Sequence, residues 1–150
     1  MGFEEKLDIS DMKKCATNFE KTLAYAIHNE MQLQISVESE DDESLFMYQL
    51  VRSAVIHVFE TTIEAAWKIM QRWVKINADI NITHKPKREL FRIARDSNLI
   101  SDAEKWWIFF EGRNRTSHTY KEEIAEEIYS LAKDFKDHLK DFIKRLEERL

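Results

Sequence analysis

Glycine, proline and cysteine are nearly missing from this 150-residue chain, which carries two, one and one of them. Average proteins hold roughly 7% glycine and roughly 5% proline. A β-rich fold needs such turn residues at short intervals, so their scarcity argues for a few long helices with few connections. The lone Cys15 excludes an internal disulfide and any cysteine-cluster zinc site. It stands among Met12, Ala16 and Phe19, where a thiol reads as a small buried hydrophobe, not a nucleophile. No apolar run approaches the length of a membrane span. The opening MGFEEKLD is acidic and lacks the apolar core of a secretion signal. Gly2 is followed by Leu7 and acids where a myristoylation site wants small polar residues, which argues against that modification. No glycine-rich phosphate loop occurs, so an NTPase or nucleotidyltransferase site is not expected in this chain. The expected location is the cytoplasm.

What is present points to a packed helical domain. Charged residues make up 34% and hydrophobic residues 43%, with four Trp and nine Phe, which is too apolar for disorder. Residues 1–150 read as one domain. The net charge of −5 excludes bulk attraction to nucleic acid, so any such contact must be a local patch.

Residues 4 to about 30 carry Met12, Ala16, Phe19, Leu23, Ala26 and Ile27 at the three-and-four spacing of an amphipathic helix. Met31, Leu33, Ile35 and Val37 then alternate with polar residues. No second strand exists to pair with them, so they read as a helix end or an extended tail on the core. Residues 36–44 hold five acids but lack the spacing and central glycine of a calcium loop, and read as a solvated, disordered loop. Leu45 to Ile76 is apolar over much of its girth and should be the central helix, touched on two sides. His57 within it reads as a packed or partly exposed histidine, since no second ligand stands at metal spacing. Residues 77–85 form a polar connection, and Pro86 fits the first turn of a helix over 87–98. Leu90, Phe91 and Ala94 face inward there. Arg88, Arg92 and Arg95 share another face, either in local ion pairs such as Arg92 with Glu89 or Asp96, or toward a phosphate or partner.

Ser101-Asp102-Ala103-Glu104 has the form of a capping box and starts the next helix. Its aromatics Trp106, Trp107, Phe109 and Phe110 exceed what one helix can turn inward. With the two-sided central helix, they suggest more apolar surface than a small monomer hides, hence a dimer. Gly112 should loosen this helix near its end. Thr119-Tyr120-Lys121-Glu122 reads as a second capping box with Thr119 at the N-cap. The last helix, 120–149, packs on Ile124, Ile128, Leu131, Phe135, Leu139, Phe142 and Leu146. The fold class is therefore all-α, an antiparallel up-and-down bundle of four to five helices.

Between those last two helices lies Arg113-Asn114-Arg115-Thr116-Ser117-His118-Thr119-Tyr120. An arginine can hold a phosphate and stabilise charge developing on it. A histidine can move a proton near neutral pH, and an asparagine adds a neutral hydrogen bond. Together they suffice for metal-free RNA cleavage, with His118 activating a 2′-hydroxyl and Arg113 neutralising the phosphorane. The plain alternative is structural, with Arg113 and His118 bonding carbonyls at a helix junction. No H-x-x-H, H-E-x-x-H or paired-aspartate motif supplies metal ligands.

The Arg-x4-His-x-Tyr pattern of Arg113, His118 and Tyr120, with Asn114 beside the arginine, resembles the signature of HEPN domains. The branch it is most similar to is the nucleotidyltransferase substrate-binding proteins that pair with minimal nucleotidyltransferases. Phe59, Ala66-Trp67-Lys68 and Trp107 are further landmarks. The likeness runs from about residue 45 to the C-terminus, and the first helix matches only in type. Lys121 stands where that branch often has an acidic residue. The resemblance implies a HEPN-like bundle and a homodimer whose Arg/His motifs face each other. It also implies a partner minimal nucleotidyltransferase in a toxin–antitoxin pair. The HEPN chain would be the RNase, with Arg113, Asn114 and His118 in its site. The partner, with ATP and Mg²⁺, would silence it by adding AMP to Tyr120. Arg88, Arg92 and Arg95 would guide RNA or meet the partner. An alternative reading of the same branch makes the chain the non-catalytic substrate-binding subunit of a two-chain nucleotidyltransferase.

Overall fold

The central element of the computed structural model, which describes residues 7–150, is α2, Asp42–Ala78. Before it runs α1, Ser10–Leu33; after it come α3, Lys87–Asp96, α4, Ala103–Asn114, a 3-10 turn at Thr116–His118, and α5, Glu122–Glu148. All described regular structure is helical, and α2 packs on each of the other four helices. The expected all-α bundle is what forms. The reading of Gly2 and the opening acids lies outside the described residues.

The stripes predicted from spacing are the core. Met12, Ala16, Phe19, Leu23 and Ala26 of α1 are buried, but Ile27, counted in the same stripe, is exposed. On α5, Ile128, Phe135, Leu139, Phe142 and Leu146 are buried, while Ile124 and Leu131 are half-buried. Phe135 sits where four helices meet. It packs edge-on against Phe19 of α1 at 5.4 Å, Phe59 of α2 at 5.5 Å, and Trp106 and Phe109 of α4 at 5.3 and 5.2 Å. Edge-to-face pairs add stabilisation beyond their buried area.

How the chain ends its helices without glycine is visible at three residues. Gln34, Asp79 and Asn98 take left-handed backbone with φ of 51°, 52° and 61°. Asparagine and aspartate tolerate this region better than most residues. At Asn98 the closure is a Schellman motif. The Leu99 N–H donates to Ala94 O at 2.8 Å, Asn98 N–H donates to Arg95 O at 2.9 Å, and Leu99 is fully buried.

Several local expectations change. The 31–37 segment ends α1 at Leu33 and then anchors through buried Ile35. The acidic loop is shorter and more ordered than expected: Asp41 caps α2, accepting from the Ser44 N–H at 3.1 Å. Asp42 and Glu43 already lie in the first helical turn, where the helix dipole favours acids. The connection 77–85 is not wholly polar, because Ile82 is buried. Pro86 precedes α3 as its cap, and α3 ends at Asp96. Cys15 is half-buried, not buried, and His57 is exposed. The α4 cap is Asp102, not Ser101, and it accepts from the Lys105 N–H.

The aromatic run of α4 is absorbed within the protomer. Trp106, Phe109 and Phe110 are buried. Half-buried Trp107 stacks on Phe110 at 5.9 Å, and Trp67 of α2 lies 4.7 Å from the same ring. These rings and Phe91 of α3 form a second cluster that holds α3 down. Within the run Ile108 alone stays exposed, and other exposed apolar side chains, Phe46 and Leu50 of α2 among them, lie outside α4.

Gly112 is a packing glycine, not a loosening one. It lies inside α4, buried, and a Cβ there would stand 2.7 Å from Leu131 Cδ1. Gly112→Val should therefore cost about 2–3 kcal/mol through overpacking. Gly112→Ala should cost less, about 1 kcal/mol, because helix propensity offsets part of the clash. Thermal melts should show Leu131→Ala recovering part of the Gly112→Val loss. Additive losses would show that the Leu131 contact is not the cause.

Candidate functional site at the α4–α5 junction

The motif folds as one hydrogen-bonded turn between two antiparallel helices. Arg113 and Asn114 are the last residues of α4. The last carbonyls of any helix lack partners inside it. Here Thr116 Oγ1 donates to Arg113 O at 2.8 Å, and the Arg115 N–H donates to Gly112 O at 3.0 Å. Thr119 Oγ1 donates back to Thr116 O at 3.1 Å. That bond takes Thr119 away from the N-cap role predicted for it. Lys121 occupies the α5 cap position with no side-chain bond, and its N–H donates to His118 O at 3.1 Å.

The side chains then separate by role. The Arg113 guanidinium is half-buried. Its Nη2 donates to Glu64 Oε2 of α2 at 3.2 Å and its Nη1 to Asn114 Oδ1 at 3.3 Å. A guanidinium has five N–H donors in a planar fork, so these bonds leave donors for a ligand. His118 is exposed at the end of the 3-10 turn. Its ring lies 6.1 Å from the Tyr120 ring, edge to face. Tyr120 is 77% exposed, the most open aromatic of the chain's described residues. The structure thus brings Asn114 to Arg113 and Tyr120 to His118 on one turn. Among the described residues no three His, Cys, Asp or Glu side chains converge to hold a metal ion, and no helix is long and apolar enough to cross a membrane.

Two supports of this turn were not found from the sequence. The first is Glu64, whose carboxyl the Arg113 hydrogen bond draws below the ordinary glutamate value. The second is Arg52, 4% exposed, the one buried charged side chain among the described residues. It is bidentate to Glu122 in the first turn of α5 and also donates to Glu126 at 3.0 Å. The Tyr48 hydroxyl donates to the same Glu126. Burial disfavours the Arg52 charge, but its bonds to Glu122 and Glu126 outweigh that and keep it ionised. Glu122 is two residues past Tyr120, so Arg52 fixes where α5 starts and where the motif ends. Arg52 is the one charged residue between Glu43 and Glu60, with His57 counted as neutral. That isolation was the only available signal. Arg115 also braces the turn, bonding Glu127 at 2.7 Å.

The α3 arginines are engaged locally. Arg88 binds both oxygens of Glu104 and lies over the Trp107 ring at 5.8 Å. Arg92 pairs with Glu89 at 3.3 Å and Arg95 with Asp96 at 3.2 Å. The local ion pairs expected from the sequence therefore form, among partly exposed side chains.

Comparison with known proteins decides the family. The family described as "Nucleotidyltransferase substrate binding protein like" matches residues 7–148. The chain belongs to this nucleotidyltransferase substrate-binding family. A "probable ribonuclease HepT" of Haemophilus influenzae is 32% identical over 100 residues, 65% of this chain and 68% of that protein. Among solved structures, one from Haemophilus influenzae is described as a substrate-binding domain of a nucleotidyltransferase. It superposes with a TM-score of 0.78 at 20% identity, covering 93% of this chain and 99% of that one. A Thermus thermophilus structure gives a TM-score of 0.60 at 25% identity, covering 85% and 98%. The HEPN resemblance of the motif agrees with this family. The family match begins at residue 7 and not near 45, so α1 belongs to the common domain. It was read as generic because it carries periodicity but no chemistry-bearing motif.

The supports make a pH prediction. Hydrogen bonds from Arg113 and Arg52 hold Glu64 and Glu122 below the ordinary carboxylate range. A group with a depressed folded pKa contributes stability above its unfolded value and loses it as pH falls through the folded value. Melting temperature should therefore drop below about pH 4.3, and by less in Glu64→Gln with Glu122→Gln. Near neutral pH, Arg52→Met should cost about 1–2 kcal/mol, reduced from a fully buried pair because its partners reach water. An unchanged acid profile in the double variant would remove these carboxylates as the cause.

Proposed function

We propose that this chain is the HEPN subunit of a two-component toxin–antitoxin system with a minimal nucleotidyltransferase. In this reading it is a metal-independent endoribonuclease, silenced when the partner adds AMP to Tyr120. The observation that carries the proposal is the single braced turn that holds Arg113, with spare donors, at its start and exposed His118 and Tyr120 at its end. The name of the Haemophilus relative, a probable ribonuclease, supports it.

The chemistry follows from those groups. His118 takes the proton of a ribose 2′-hydroxyl, and the 2′-oxygen attacks the adjacent phosphorus. Arg113 carries the charge that builds on the phosphorane, with Asn114 orienting a phosphate oxygen. The P–O5′ bond breaks, the 5′-oxygen is protonated from water or a second histidine, and a 2′,3′-cyclic phosphate remains. In silencing, the Tyr120 phenol oxygen attacks the α-phosphorus of ATP. Pyrophosphate leaves, and the partner accepts the phenolic proton. ATP and Mg²⁺ belong to the partner. Removing either His118 or Arg113 should lower cleavage by about 10²–10⁴-fold. His118→Ala should abolish growth arrest when the chain is expressed without its partner, and cleavage should persist in EDTA and fall with acidity. A purified, unmodified dimer that cleaves no RNA would sink the RNase reading. Co-expression should add one AMP mass to wild type and none to Tyr120→Phe.

A second reading stays open because the family description and the description of the Haemophilus structure both speak of substrate binding. In it the chain is the non-catalytic subunit of a two-chain nucleotidyltransferase, Tyr120 stays unmodified and the complex binds an acceptor. Both readings keep the nucleotidyltransferase partner and a cytoplasmic location.

The homodimer belongs to the proposal, but on a different surface from the aromatic run. Phe46, Met47, Leu50, Ala54 and His57 form an exposed, uncharged outer face on α2. In a chain that is 34% charged, such a face is unusual and reads as covered by a second copy. Continuing the helical spacing from His57 leads through Thr61 to Glu64, the Arg113 partner, so a copy seated there would bring two motifs together. Light scattering should give a dimer at micromolar concentration, and Phe46→Glu with Leu50→Glu should give a monomer of unchanged helix content. A wild-type monomer would remove the shared cleft.

A further inference from the structure

On α3 each of the three arginines is ion-paired within the protomer, which leaves Lys87 as that helix's one basic side chain without an acid among the described residues. A larger free basic surface lies in a groove between the first half of α1 and the last third of α5. Two adjoining hollows of about 290 and 370 Å³ share Lys13 and Thr17, so they form one trough. Among the described residues Lys13, Lys14, Lys21, Lys140 and Lys144 line it, against two acids, Glu20 and Glu147. Among the described residues the one ion pair of the trough is Lys13 with Glu147, at 3.2 Å. The other four lysines are exposed on helix surfaces. A chain of net charge −5 thus gathers uncommitted positive charge in one place.

The lysines are also strung out in a line. Lys133, Lys136, Lys140 and Lys144 recur at three-and-four spacing along α5. The first of them pairs with Glu30 of α1 at 3.7 Å, so this row follows the α1 side of α5. From Lys133 to Lys144 the row spans about 16 Å, at 1.5 Å per residue. It runs back toward the end of α5 that begins beside the motif, and Lys140 lies about 27 Å along the axis from Glu122. Thr17 and Asn18 add neutral hydrogen-bonding groups of the kind that bind phosphate oxygens. Among the described residues no aromatic side chain lines the trough to stack a base.

We propose that the α1–α5 trough binds the phosphate backbone of single-stranded RNA, without base readout, as an exosite of the junction turn. A row of single charges along a helix suits a linear polymer of regularly spaced anions. Charge attraction alone accounts for such affinity, which weakens steeply with salt. The choice of RNA over other polyanions rests on the ribonuclease reading above; the location does not.

The test uses the full-length chain with His118→Ala, so that a fluorescent mixed-sequence single-stranded RNA survives. Lys140→Glu with Lys144→Glu, and separately Lys14→Glu with Lys21→Glu, should each weaken binding by about tenfold or more. Each pair should also reduce the slope of log affinity against log salt by about 1.4, two phosphate contacts at about 0.7 each. Arg92→Glu with Arg95→Glu should change affinity less than about twofold if only the trough binds. All these side chains are exposed, and circular dichroism confirms that each variant is folded. Equal losses from trough and α3 variants would mean bulk charge attraction and would overturn the proposal. Trough variants that bind like the parent would overturn it too. If polyglutamate displaces the RNA at equal charge concentration, the trough is a dock for an acidic protein and the RNA assignment fails. Trough-dependent binding by a wild-type chain that cleaves nothing would sink the ribonuclease reading while leaving the exosite standing.

Discussion

One ring holds the bundle together. Phe135 of α5 is fully buried and contacts aromatic side chains from α1, α2 and α4 at once. Removing it would open a cavity bordered by four helices, and a cavity shared by several elements cannot collapse onto one neighbour. The hub lies thirteen residues past Glu122, and Trp106 and Phe109 of α4 are its partners. The α4–α5 hairpin is therefore clamped from inside, with Arg52 and Arg115 clamping its mouth. A connection of seven residues between two helices fixed in this way has little freedom. That is the physical reason the motif presents a defined set of side chains.

The fold was legible because helix periodicity is local information. The stripes on α1, α2 and α5 were read correctly, Ile27 apart, since each depends only on spacing along one helix. The aromatic run of α4 was misread because spacing says which residues share a face but not how many neighbours a helix has. Trp67 and Phe91 lie 40 and 16 residues before Trp107, and together with Phe110 they cover the side that was assigned to another subunit. The capping boxes were misplaced by competition between nearby oxygens. Asp102 accepts from the Lys105 N–H and starts α4 one residue later than Ser101 would, and the Thr119 hydroxyl donates to a carbonyl inside the turn. Gly112 was taken as a flexible point because its real constraint, Leu131, lies on another helix.

The site divides along the same line. Arg113, Asn114, His118 and Tyr120 were found because they are contiguous and carry a recognisable pattern. Glu64 was missed because its meaning comes from an arginine 49 residues away, and Glu122 because its partner is 70 residues before it. The α3 arginines were open to two readings from the sequence, and the structure forms the local ion pairs that one of them expected. Their acids were also in view, Glu89 and Asp96 beside them and Glu104 a helix later. Charge clusters gain meaning only after local partners are subtracted.

The Glu64–Arg113 pair raises the question of whether an arginine already engaged can serve a phosphate. The magnitudes say that it can. Glu64 is nearly half exposed and Arg113 about a third, so water screens the pair. Pairs of this kind contribute roughly 0–1 kcal/mol. A phosphate offers two charged acceptors in the planar geometry that a guanidinium fork prefers, and such bonds are about twice as strong as neutral ones. One Nη holds Glu64 and the other Asn114, each with a second N–H left over, so a ligand need not displace the carboxylate at all. Glu64 then aims the fork across the turn and restricts its rotamers before the ligand arrives, which lowers the entropy lost on binding. The cost of keeping a carboxylate so close is repulsion of the phosphate itself. It is tolerable only because the pair sits at the surface, where the effective dielectric is high. The same contact in the core would neutralise Arg113 as a phosphate ligand. The half-exposed position of the junction turn is thus a requirement of any phosphate chemistry there, and it follows from ending α4 at the rim of the bundle.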